Sequence, residues 1–191
     1  MLILSAINPE QALSDDEAEL MELDLAAVAA GSTEALERLY NTAKAAVYSY
    51  SLSVLRNVQD AEDVLHDCFV NIFTAAAGYR PHGKPMAWIL TITRNLALSR
   101  LRQQSRTEPL TMEDWQDRFA DRETVSHEDR MALSALLAAL EDTERQIVAL
   151  HALSGLKHRE IAEMMKMPLP TVLSKYHRAM KKLRLAWKEA Q

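Results

Sequence analysis

Between Thr171 and Lys188 the chain carries two small hydroxyls and several cations on one side of a helical pattern: Thr171, Ser174, Lys175, Arg178, Lys181 and Lys182, with no acid among them. Hydroxyls and cations bind phosphate oxygens and base edges, so the chemistry on offer is nucleic-acid recognition rather than bond making. Val172, Tyr176, Ala179 and Leu183 recur at i, i+4, i+7 and i+11 and form the stripe that turns inward. His158 to Met165 reads as a preceding short helix, interrupted by Met167-Pro168-Leu169-Pro170. Pro170 suits the first turn of the second helix, where its missing N–H is not needed. A helix-turn-helix offers its second helix to the major groove in this way. Thr171, Ser174, Lys175 and Arg178 then lie near the base edges, and Lys181 and Lys182 near the phosphates. A solvated basic helix closing a bundle accounts for the same residues, so the segment alone leaves both readings open.

The elements behind this face show in the charge distribution. The chain is acidic overall, with 22 Lys+Arg against 27 Asp+Glu, which argues against a generic nucleic-acid coat. The charges are segregated. Residues 1–70 hold 3 basic and 13 acidic side chains, residues 71–107 hold 6 and none, residues 108–145 hold 4 and 11, and residues 146–191 hold 9 and 3. Two separate basic blocks imply two nucleic-acid surfaces held apart by segments with another task.

Four Gly and six Pro in 191 residues, with abundant Ala, Leu, Glu and Met, point to an all-α fold. Residues 1–23 read as an acidic N-terminal lead, loose at its start. Residues 24–104 read as a helical bundle. Its helices run from about Asp24 to Ala30, from a Ser32 or Thr33 cap to Arg56, from the Asn57–Asp60 turn to about Ala77, and from Met86 to about Gln104. Periodicity fails over 105–126, a flexible linker. Residues 127–191 read as a four-helix domain: His127 to Leu140, Glu144 to Leu153 behind a Thr143/Gln146 capping box, and the helix-turn-helix pair. The single Cys68 excludes an internal disulfide and fits a cytoplasmic protein, and neither a signal peptide nor a membrane-spanning stretch is read.

The N-terminal module carries two further patterns. Asp60, Asp63, Asp67 and Asn71 fall on one face of a helix whose other face is apolar, and unrelieved acids there suit a basic protein partner. An ordinary solvated face is the alternative. The loop Tyr79–Lys84 and the helix after it supply Arg80, His82, Lys84, Arg94 and Asn95, the ingredients for holding a single strand with unstacked bases. Trp88 continues the stripe of Ile92 and Leu96 and reads as core. The six histidines are scattered, and no zinc spacing, P-loop or dinucleotide loop is present. No catalytic residue, metal ligand or cofactor site is read.

Three ordered motifs bring these observations together. They are Asp60-Ala-Glu-Asp-Val-Leu-His-Asp-Cys-Phe-Val-Asn-Ile-Phe73, Ala87-Trp-Ile-Leu-Thr-Ile-Thr-Arg-Asn-Leu-Ala97 and Pro168-Leu-Pro-Thr-Val-Leu-Ser-Lys-Tyr-His-Arg-Ala179. Over about residues 24–188 the chain resembles the extracytoplasmic-function sigma factors, the short bacterial sigma subunits with only regions 2 and 4. The resemblance implies that 24–104 is region 2 and 127–191 is region 4. It implies binding to core RNA polymerase and to promoter DNA, with an anti-sigma factor as a further candidate partner and no membrane insertion. It places Asp60, Asp63, His66, Asp67 and Phe73 at the polymerase contact, although the family usually has Gln-Glu where this chain has His66-Asp67. It places Arg80, His82, Lys84, Arg94 and Asn95 at the −10 element. Thr171, Ser174, Lys175 and Arg178 match its −35 helix, and in and before that helix Lys157, Lys166, Pro170 and Leu173 depart from frequent family residues. A helix-turn-helix regulator of another family would explain 127–188 but not the acidic helix. A helical adaptor without DNA contact leaves the segregated cations idle, and an enzyme is the weakest alternative.

Overall fold

The structure, a computed structural model, describes residues 14–104 and 140–189, and every regular element among them is helical. The 105–126 linker and most of the helix expected over His127 to Leu140 lie outside the described residues.

Helix α1 spans Asp15–Ala29 and starts well before the expected Asp24. The cause is local. Ser14 Oγ accepts the Glu17 N–H at 3.2 Å while the Glu17 carboxylate accepts the Ser14 N–H at 2.9 Å, which completes a capping box. Asp15, Asp16 and Glu17, read from sequence as a loose acidic lead, complement the positive end of a helix. Met21, Leu25 and Val28 then lock α1 onto the bundle.

Helix α2 spans Thr33–Leu55, capped by Ser32 Oγ accepting the Ala35 N–H at 3.1 Å and ended by Arg56 in the left-handed region at φ 55°. Helix α3 spans Val58–Ala75 behind an Asn57 cap whose side-chain oxygen accepts the Asp60 N–H at 3.0 Å. A 3₁₀ turn over Ala76–Gly78 leads into the basic loop, and α4 spans Pro85–Gln104. The core of this module gathers Leu25, Leu39, Val47, Tyr50, Val64, Cys68, Ile72, Ile89 and Leu90.

In the C-terminal module α5 spans Asp142–Val148 and continues as a π-helical turn over Ala149–Leu153. Glu141 takes the cap position and its N–H donates to the Glu144 carboxylate at 3.4 Å, so the capping pair is Glu141/Glu144 rather than Thr143/Gln146. Helix α6 spans His158–Met165 and α7 spans Leu169–Glu189. Lys166 closes α6 at φ 55°, a left-handed residue with a side chain where glycine is the usual choice. Ile147, Leu150, Leu156, Ile161 and Val172 pack into the same core as the N-terminal helices, so the two modules share one apolar interior. Arg145 crosses the seam. Its Nε donates to the Ser53 carbonyl at 2.7 Å and the side chain is 2% exposed.

Candidate nucleic-acid and polymerase-docking surfaces

On α7 the stripe read from sequence turns inward: Val172, Ala179 and Leu183 are buried and Tyr176 is half-buried. The outward side includes Leu173, Ser174, His177, Arg178 and Lys181, with Arg184 and Leu185 exposed further along the helix. Thr171 and Lys175 flank it, partly covered. The outward face thus includes an exposed leucine and His177, neither of which the sequence reading counted among the recognition residues. Lys182 departs from the expected row of phosphate contacts. Its Nζ lies 2.7 Å from the fully buried Glu144 carboxylate and 3.6 Å from Glu141. Burial pushes the Glu144 carboxyl up, but the Lys182 bond and the Glu141 N–H outweigh it and hold the group below the usual carboxylate range. Lys182 therefore ties α7 to α5.

Beneath α7 the rings of His151 and His158 lie tilted by 40° at 3.9 Å between centroids, and Tyr176 meets each edge-on at 4.8 Å. His158 Nε2 is buried without a hydrogen-bond partner. Burial, with the His151 and His177 charges behind it, lowers the His158 pKa.

The acidic face of α3 is narrower than its sequence suggests. Asp60 is buried, and Arg100 from α4 reaches both Asp60 at 2.9 Å and Asp63 at 2.5 Å. Burial works against the Arg100 charge, and Asp60 and then Asp63 outweigh it, so its pKa is raised. His66, Asp67, Val70 and Phe73 remain exposed beside the half-open Asp63. Val70 at 54% and Phe73 at 43% exposure are large apolar groups in water on an otherwise acidic face. Exposed apolar groups beside acids are the composition that protein interfaces bury.

The basic loop of residues 79–84 holds Arg80 and His82 in solvent. Tyr79 sits edge-on to Trp88 at 5.1 Å and 5.6 Å from the His82 ring. Trp88 is half-buried against the core, as its stripe implied. Lys84 is drawn toward α6, 3.6 Å from Glu163 and 4.0 Å from Glu160. Arg94 turns inward: its Nε is buried, and its guanidinium lies close enough to the fully buried Tyr50 to offset part of the burial that pushes that phenol up to about 12. Asn95 stays exposed. Of the expected −10 group, Arg80, His82 and Asn95 are open to a ligand, Lys84 is shared with the C-terminal module, and Arg94 is structural in this arrangement.

Among the described residues no group of three or more His, Cys, Asp or Glu could hold a metal, and no helix is long and apolar enough to cross a membrane. Cys68 lies buried with its Sγ 3.3 Å from Thr93 Oγ1, and burial pushes the thiol up to about 11, so it offers no nucleophile.

Comparison with known proteins matches these modules one by one. Residues 39–107 match the family model for sigma-70 region 2, and residues 130–183 match that for sigma-70 region 4. The ECF RNA polymerase sigma factor SigK of Mycolicibacterium vanbaalenii is 28% identical over 173 residues, covering 85% of this chain and 88% of that protein. The fold is shared with CnrH, solved in complex with the cytosolic domain of CnrY, at a TM-score of 0.62 and 20% identity over 90% of this chain and 99% of that one. It is shared also with the sigma factor RpoE of Bartonella quintana, solved with the anti-sigma factor NepR, at 0.59 and 21% identity over 75% and 90%.

Proposed function

The chain belongs to the extracytoplasmic-function sigma factors of the sigma-70 family, an alternative sigma factor that directs core RNA polymerase to promoters, and from that premise we propose how its surfaces divide the work. The observation that carries the division is the coincidence of the two family matches, 39–107 and 130–183, with the two basic blocks at 71–107 and 146–191.

Residues 15–104 form the module that meets polymerase and the −10 element, and residues 127–191 the module that meets the −35 element. The docking face is Asp63, His66, Asp67, Val70 and Phe73 on α3: apolar anchors ringed by acids, suited to a basic partner. Asp60 supports it from inside through Arg100. Arg80, His82 and Asn95 face the opened −10 strand, with Lys84 available once its pairing to Glu160 and Glu163 yields. Their cations hold phosphates, and the Tyr79/Trp88 cluster walls the place where an extruded base would lodge. On α7, Leu173, Ser174, His177 and Arg178 lie toward the −35 base edges, and Lys181 toward the backbone. The protein acts in the cytoplasm, where its polymerase partner is. The chain is also a candidate for an anti-sigma partner, because RpoE, which shares its fold, was solved with the anti-sigma factor NepR, and CnrH with the cytosolic domain of CnrY.

Two measurements on the holoenzyme test the division. Asp63→Arg with Asp67→Arg should abolish co-elution with core polymerase and leave helicity unchanged. Arg80, His82 and Lys84 changed together to Ala should reduce permanganate reactivity of the −10 thymines. Normal co-elution would remove the docking assignment, and normal melting would make the loop a connector.

A further inference from the structure

The loop of residues 79–84 is held by an acid from outside its own basic block. One oxygen of Glu22, on α1, accepts three hydrogen bonds: from the Tyr79 hydroxyl at 2.8 Å, the His82 N–H at 2.9 Å and the Gly83 N–H at 2.7 Å. Gly83 sits at φ +73°, a conformation that L side chains rarely adopt, and a Cβ there would meet nothing within 4 Å. The glycine is thus needed for its backbone angle, which brings two successive N–H groups onto one carboxylate, and not for space. The loop has a second internal tie, His82 Nδ1 to the Arg80 carbonyl at 2.5 Å. Burial pushes the Glu22 carboxyl up, but the Gly83 N–H, the Tyr79 hydroxyl and the His82 N–H together outweigh it and leave the group below its ordinary value.

A carboxylate on a surface meant for phosphates is unfavourable to binding, since it repels the strand it faces. Here the negative charge is turned into the loop, saturated by three donors, and it fixes the backbone between Tyr79 and Gly83. A pocket for an extruded base needs such fixing. A loop free to take several conformations could re-pack around each base in turn, and the difference between bases would blur. We propose that Glu22 is a positioning residue for −10 recognition: it touches no DNA, and its acceptor oxygen sets the loop conformation on which base discrimination depends. This rests on the assignment of the 79–84 loop to the −10 strand.

Two substitutions separate positioning from charge. Glu22→Gln keeps an acceptor oxygen for the three donors and removes the charge, whereas Glu22→Ala removes both. Holoenzyme carrying each variant is offered a single-stranded oligonucleotide pool randomised over the −10 positions, and base enrichment is read by sequencing. Glu22→Ala should lower discrimination at the captured position about tenfold, the worth of one to two net hydrogen bonds of this kind. Glu22→Gln should stay within about threefold of wild type. Glu22→Gln should bind the unselected pool more tightly, because it deletes one negative charge, and Glu22→Ala less tightly than Glu22→Gln, because its loop must be ordered on binding. Tyr79→Phe, which removes one donor and no charge, should fall between them, and it serves as the second variant should Glu22→Ala fail to fold. Equal behaviour of Ala and Gln would show that Glu22 acts only through charge, and wild-type discrimination in Ala and in Tyr79→Phe would overturn the proposal. The Arg80/His82/Lys84 alanine holoenzyme is run in parallel. If it too enriches normally, the loop assignment fails; if it alone loses enrichment, only the role of Glu22 fails.

Discussion

Replacing Arg145 by methionine should loosen the seam between the two modules. The guanidinium is 2% exposed, and it donates to the Ser53 carbonyl on α2 at 2.7 Å, the Leu140 carbonyl at 3.1 Å and the Asp142 carboxylate at 2.6 Å. Arg56 also pairs with that carboxylate. Methionine keeps most of the stem and supplies no donor. Two enclosed carbonyls lose a charged partner, about 1–3 kcal/mol each. The Asp142 bond adds little, since that side chain is 71% exposed. In the opposite direction, burial and then the neighbouring Arg56 charge drive the Arg145 pKa down to about 10, so deleting the cation relieves a desolvation cost. The balance is a loss of about 2–4 kcal/mol. Urea unfolding of the full chain followed by far-ultraviolet circular dichroism should show an earlier midpoint, and X-ray scattering a larger radius of gyration. Arg145→Lys should not restore stability, because an ammonium cannot reach three acceptors in fork geometry. A loss below about 0.5 kcal/mol, the range of ordinary surface changes, would mean that the side chain is not enclosed between the modules in solution.

Leu173, 37% exposed on the outward side of α7, should contact a thymine methyl in the −35 element. Exchanging that thymine for deoxyuridine should cost holoenzyme about fourfold in affinity, the worth of one buried methyl, and cost Leu173→Ala nothing more, whereas equal losses in both would remove the contact. Lys181→Ala should lower the slope of log affinity against log salt by about one unit. Lys182→Ala should leave that slope alone and lower the unfolding midpoint instead, by stranding the buried Glu144, and a matching slope change in both would return Lys182 to the phosphates. His158 has a folded pKa below its ordinary 6.5, so the unfolded chain binds the proton more readily. Its contribution is full above pH 6.5 and is lost as pH falls below that, against the facing His151, His177 and Tyr176, with Arg184 beyond Tyr176. His158→Phe should flatten the fall in unfolding free energy as pH drops below about 6.5, and an unchanged profile would assign it to other groups.

What the sequence made legible was local. The α7 stripe could be read because a 3.6-residue period needs no partner to be recognised, and the Ser32 cap because it acts within three residues. The start of α1 was missed although its signal is local too. Ser14 and Glu17 form a capping box, but three acids in a row read as a solvated lead when the buried Met21 and Leu25 behind them are not yet known. The site was less legible than the fold, for a physical reason. Arg100 takes Asp60 out of the docking face across 40 residues, Lys182 takes itself off the phosphate row across 38, and Glu22 reaches the Gly83 N–H across 61. Charge pairing at such separation is set by packing, which no spacing rule along the chain encodes. Leu173 was noticed in the sequence only as a departure from a frequent lysine, and its exposure on the outward side of α7 is what the proposed thymine contact rests on.

The most direct test of the whole account is promoter-specific initiation. The purified chain is mixed with bacterial core RNA polymerase and a fragmented template from its own genome, and transcript 5′ ends are mapped. Discrete start sites should appear only when chain and core enzyme are both present, and should vanish with Asp63→Arg plus Asp67→Arg. Binding of the chain alone to duplex DNA, with the start sites of core polymerase unchanged by its addition, would contradict it.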